Sequence, residues 1–278
     1  MHQKMSNRKK VVAGEHQSKT RKSNTAWGNA AVARNTRVMQ ILINDIRLKM
    51  RDGETFYTDE KLFPKKKGFA IDRVNIQQGN SKLGHIIKSV SLPPVLYCGN
   101  CKACKNDCYD LRHDVTQPQC RIYRAANAAL YEENRDAYWE SIERKVQACR
   151  FFRYHIGGDI QDRDYLQHMV DIAYGNPHCE FLAFTKMFDV VNGYMADTEE
   201  DLPANLHIIF SAWPGLDMPN PYHMPISFPV FAEGDEQEFM STMPSWYWHC
   251  GNDCTECALC GQGCWTLKRG EAVGFPLH

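Results

Sequence analysis

Residues 1–25 show no apolar period. They run through lysine, serine, asparagine and glutamine, the composition of a mobile segment. From about Ala30 the pattern becomes helical. Val38, Ile41, Leu42 and Ile46 recur at helical spacing, and Asp52-Gly53 ends the run with turn chemistry. Lys65, Lys66 and Lys67 form a basic loop after Pro64. Residues 69–96 read as short strand-like pieces broken by glycines, and Pro93-Pro94 keeps the chain extended beyond them. Pro118 opens a second helical region rich in alanine (Ala125, Ala126, Ala128, Ala129), and Trp139, Ile142 and Val146 continue its apolar stripe.

From residue 151 the period alternates. Phe151–Ile156 predicts a strand ending at Gly157-Gly158-Asp159, and Leu166, Met169, Val170 and Ala173 give one helical face. Phe181–Phe184 predicts a strand ending in Thr185-Lys186, and Leu206–Phe210 one ending in Ser211-Ala212-Trp213. Ile226–Ala232 is a weaker strand because it contains Pro229, and Trp246–His249 is a short one running into Cys250. Strand alternating with helix predicts an α/β fold with a parallel sheet, here a full or partial (β/α) barrel. The domain limits expected are a flexible basic arm over 1–29 and a single α/β domain over 30–278. In such a fold the chemistry collects at the C-terminal ends of the strands.

Two cysteine runs bracket this α/β region. Cys98, Cys101, Cys104 and Cys108 spell C-x2-C-x2-C-x3-C, and Cys254, Cys257, Cys260 and Cys264 repeat that spelling about 150 residues later, with Cys250 just ahead. Bacterial ferredoxins hold cubane iron–sulfur clusters with this spacing, and the fourth cysteine there serves the other cluster. By that logic Cys98, Cys101 and Cys104 pair with Cys264, while Cys254, Cys257 and Cys260 pair with Cys108. The competing arrangement is local, each run closing its own site. Either arrangement implies one or two 4Fe–4S clusters, with zinc as the alternative metal. Tyr109 and Trp265 stand where the ferredoxin motif has proline. Cys120, Cys149 and Cys179 are isolated and read as buried apolar residues.

Composition narrows the class further. Of 12 cysteines in 278 residues, nine lie in the two runs, whereas a disulfide framework would spread them along a shorter chain. No apolar run reaches the roughly 18 residues of a membrane span, and the N-terminal stretch lacks the apolar core of a secretory signal. The expectation is a cytoplasmic protein with no membrane partner. Net charge is zero, but residues 1–37 hold nine Lys or Arg against one acid, Glu15. A basic arm on an acidic body is either a solvated tail or a nucleic-acid tether.

The strand ends supply the remaining candidates. Gly157 and Gly158 allow close approach of a ligand to the backbone, and Asp159 can accept from an ammonium or hydroxyl group. The competing reading is a tight turn with Asp159 or Asp162 capping the next helix. Lys186 suits a carboxylate or phosphate. Ser211 and Trp213 follow the next strand, and His155 reads as a core histidine.

Five ordered blocks, CGNCKACKNDCY (98–109), RYHIGGDI (153–160), FLAFTK (181–186), IIFSAW (208–213) and CGNDCTECALCGQGCW (250–265), resemble the phage and prophage proteins called the gene-product-88 family. The resemblance covers roughly residues 85–278. More distantly, the arrangement is similar to the radical S-adenosylmethionine (SAM) superfamily. That likeness implies a partial (β/α)6 barrel, a cluster after the first strand, and Gly157-Gly158-Asp159 in the place of a GGE motif that holds the SAM amino group. Here Asp replaces Glu, and the first run departs from the C-x3-C-x2-C spacing of those enzymes; only Cys250, Cys254 and Cys257 spell it. The resemblance implies a pocket of Gly157, Gly158, Asp159, Lys186 and Ser211 for a small polar or nucleotide ligand, with SAM as a candidate cofactor and an oxidoreductase or transferase activity. A nucleic-acid-binding protein with structural iron–sulfur or zinc sites is the alternative, and a simple electron carrier is a third.

Overall fold

The structure is a computed structural model. It describes residues 8–10, 27–64, 68–79, 83–102, 104–198, 200–230, 246–251 and 253–276. Most of the basic arm and the Lys65–Lys67 loop lie outside the described residues, as does Ala232 at the end of the fourth expected strand.

The elements, in chain order, are β1 (Arg8–Lys10), α1 (Asn29–Arg51), β2 (Phe56–Tyr57), β3 (Phe69–Ala70), β4 (Ile87–Val90), α2 (Tyr109–Thr116), α3 (Pro118–Glu133), α4 (Arg135–Val146), β5 (Phe151–Tyr154), α5 (Arg163–Gly175), β6 (Glu180–Thr185), α6 (Phe188–Thr198), β7 (Leu206–Ser211), β8 (Ile226–Val230), β9 (Trp246–His249), α7 (Cys254–Leu259) and β10 (Ala272–Pro276). The main sheet runs β4-β5-β6-β7-β8-β10-β9-β1. Its first seven strands are parallel, and only β1 joins antiparallel, on β9. The fold is therefore α/β on a parallel sheet, with β4 and β1 at its edges.

Five consecutive strands lie side by side in sequence order. Crossovers between parallel strands are right-handed, so a sheet wound in one direction receives its helices on one face. Alternation along each strand agrees. Phe152, Tyr154, Phe181, Ala183, Ile208 and Phe210 belong to the large core shared with the helices. Phe151, Leu182, Ile209 and Val273 face the other way and pack with Ala258, Trp265 and Leu267 of the C-terminal cysteine segment. One face of the sheet is thus a conventional core, and the other is roofed by sulfur-bearing chain.

Three local outcomes depart from the sequence pattern. On α1 the buried residues are Val32, Met39, Ile43 and Ile46, while Val38 and Ile41 are exposed. The apolar residues span more than one face, and packing against α3 selects the stripe through Ile43. The second helical region breaks at Asn134, whose side chain accepts from the Ala137 amide at 3.0 Å and restarts the chain as α4. The last strand, β10, inserts between β8 and β9. Its pattern, AVGFP, carries a glycine and a proline that hide it from propensity.

Candidate functional site

The first cysteine run begins a few residues beyond β4, the first strand of the parallel array. The Cys101 thiol is in hydrogen-bonding contact with those of Cys104 and Cys98, and these contacts, with burial, hold it well above the usual thiol range. The contact with Cys101 pulls the Cys104 thiol down to about 6; burial opposes this and the charge of Lys186 assists it. Cys108 opens α2, its sulfur accepting from the Leu111 amide at 3.3 Å. Burial pushes that thiol up to about 12, with Asp110 adding and Cys98 and Cys104 close enough to contribute. The cysteines of this run form no disulfide. Two outside contacts hold the loop: the Trp27 indole donates to the Cys108 carbonyl at 3.2 Å, and the Asn100 amide donates to the Lys186 carbonyl at 2.5 Å.

Beneath α2 lies a buried ionic triad. Arg124, 2% exposed, donates to Asp110 at 2.7 Å and to Asp114 at 2.5 Å. One Asp110 oxygen, Oδ2, has no hydrogen-bond partner. A methyl group on Gly157 would lie 2.0 Å from that oxygen, and one on Gly158 would lie 2.7 Å from Leu92. Gly158 also has φ +82°. These glycines are therefore required by close packing on α2 and on the chain after β4. Asp159 is buried and ties the strand ends together: Oδ1 accepts from the Thr185 hydroxyl at 2.6 Å and the Ile160 amide at 2.8 Å, and Oδ2 from the Lys186 amide at 2.9 Å. Burial raises its pKa against these donors. The cap of α5 is Asp162, which accepts from the Tyr165 amide. His155 is buried in the core, where desolvation lowers it to about 3.

The second run forms differently. Asp253 caps α7 by accepting from the Glu256 amide at 2.8 Å. Cys254 and Cys257 sit three residues apart and share a helix face, whereas Cys260, at the C-cap, turns into solvent. Cys250, delivered by β9, stands in for it: Cys257 and Cys264 each lie within electrostatic reach of Cys250 and Cys254. Burial, then these neighbours, push the Cys257 thiol up to about 11. Gly263, at φ +65°, leaves room for the Cys257 sulfur, which would lie 3.0 Å from a side chain there. Buried Trp265 anchors the segment on the sheet through the edge of Phe151, ring centres 5.2 Å apart.

Both sulfur groups line one cavity of about 1640 Å³, lined also by Arg153, Asp159, Lys186, Ser211 and Trp213. Lys186 donates from Nζ to Ser211 Oγ at 3.2 Å and lies 5.7 Å from the centre of the Trp213 ring. Gly157, Gly158, Asp159, Lys186 and Ser211 thus all line the cavity that the cysteine groups also line. Sequence reading missed Arg153. Its signal was a charged residue alternating with aromatics inside an apolar strand, FFRY. Among the described residues no three His, Cys, Asp or Glu side chains are arranged to grip one metal ion. No helix among them is long and apolar enough to cross a membrane.

A parallel sheet with two cysteine groups over one cavity defines an α/β protein with a thiol-lined pocket. The chain matches the family described as Gene product 88 over residues 64–263 and belongs to it. No curated protein and no solved structure matches it.

Proposed function

We propose that this chain is an iron–sulfur protein with two clusters flanking a ligand cavity, and that it works as a redox enzyme on a small polar molecule. The observation that carries the reading is the convergence of both cysteine groups on one cavity that also presents Lys186 and Ser211. The donor set fits: soft sulfur ligands in fours suit 4Fe–4S clusters. Cys98, Cys101, Cys104 and Cys108 would hold one, and Cys250, Cys254, Cys257 and Cys264 the other. A bound cluster supplies single electrons. The chain's residues bind the ligand, orient it and exclude water.

The order of elements supports a likeness to radical SAM enzymes, since the first run follows the first parallel strand and Gly157-Gly158-Asp159 the second. The grip on SAM itself does not fit. Asp159 already accepts from Thr185 and two backbone amides, and the glycines pack on protein.

Anaerobic purification with cluster reconstitution tests the reading. About eight iron and eight sulfide per chain are expected. A colourless protein holding zinc and no sulfide overturns it.

A further inference from the structure

Two arginines lining the cavity are treated differently. Arg124 is clamped by two carboxylates. Arg153 lies in the middle of β5, opposite Ser89 and Leu182, on the face that looks into the cavity. Among the described residues no carboxylate lies within 4.0 Å of it. Its Nε is buried without a hydrogen-bond partner, and its guanidinium rests on the Phe184 ring at 5.0 Å. Phe184 and Lys186 alternate on the same side of β6 and its extension, so a second cation follows directly. On the far side Arg153 reaches Cys264: burial and the neighbouring thiols hold that thiol high, and the charge of Arg153 pulls the other way. The guanidinium therefore stands on the cavity floor toward the second sulfur group, while Lys186 stands beside the first.

Arg153 is half-buried, with Nε withdrawn from water and unpaired, and its fork of donors matches the two oxygens of a carboxylate or phosphate. The aromatic ring beneath it fixes the plane of that fork. We propose that Arg153, with Lys186, forms an oxyanion subsite, so that the molecule bound between the sulfur groups carries a carboxylate or phosphate. This rests on the cavity assigned above and names the class of its ligand.

The test is anaerobic titration calorimetry of the full chain with inorganic phosphate and, separately, with acetate, before and after iron loading. Saturable binding of either anion is expected, weakened at least tenfold in Arg153→Gln and partly kept in Arg153→Lys. The tighter anion distinguishes phosphate from carboxylate ligands. If Arg153→Gln does not fold, arginine-selective labelling of the wild-type chain, mapped by mass spectrometry, serves instead: the tighter anion should protect Arg153. Absence of anion binding, equal binding by a folded Arg153→Gln, or labelling unaffected by either anion overturns the proposal. A lowered cluster potential in Arg153→Gln, with no anion bound by the wild type, also overturns it and makes Arg153 only a counter-charge to the clusters. Anion binding in a chain that takes up no iron would sink the iron–sulfur reading and leave this subsite standing.

Discussion

The two cysteine runs share one spelling and occupy opposite settings. The first is built into the fold. It follows the edge strand β4, caps α2 with its last cysteine, is held by Trp27 and Asn100, and rests beside a buried arginine triad. The second is laid on the sheet as a roof, pinned by Trp265, with one of its four cysteines in solvent and a fifth recruited from β9. Equal spacing therefore does not make equal sites. What decides whether a cysteine joins is where the local helix or strand end aims its sulfur.

The largest expected effects separate the two settings. Cys101→Ser and Cys254→Ser should each remove one whole cluster, about four of eight iron, by iron analysis, and neither should empty the other site. Simultaneous loss of both would break the comparison. Next, Arg124→Ala leaves Asp110 and Asp114 buried and unpaired, at a cost of about 3–5 kcal/mol in chemical denaturation. Because Asp110 lies in the first turn of α2, iron should leave the first site before the second.

A smaller contrast lies in two glycines. Gly158→Ala meets Leu92 and a φ of +82°, and should cost about 1–3 kcal/mol in thermal unfolding. Gly261→Ala, at φ +57° in open space beside the second run, carries only the left-handed backbone term of roughly 1–2 kcal/mol. The smallest effect belongs to Cys260→Ser, which should leave iron content unchanged. Loss of the second cluster there would restore the ferredoxin grammar that the exposed position of Cys260 argues against.

These contrasts mark what the sequence could and could not say. The strands at 151, 181, 206 and 246 were legible because apolar runs ended at clear polar stops, and the parallel sheet followed from strand–helix alternation. The meeting of Lys186 and Ser211 was legible from their shared place after strands. Two facts were not. The role of Gly157-Gly158 depends on Leu92 and Asp110, which are far away in sequence. Which cysteines group together depends on the helical phase of α7 and on β10 bringing β9 into the sheet. Arg153 was visible as a misplaced charge, but its lack of a carboxylate partner is a property of the folded cavity alone.

The central proposal is that each local cysteine group, the second completed by Cys250 in place of Cys260, holds its own cluster at one cavity. The most direct measurement is electron paramagnetic resonance of the reduced, iron-loaded chain beside Cys101→Ser and Cys254→Ser. The account predicts a spectrum broadened by coupling between two nearby clusters, which simplifies to a different single-cluster signal in each variant. A spectrum abolished by either substitution would mean one cluster shared between the runs, and a silent, zinc-filled protein would contradict the account altogether.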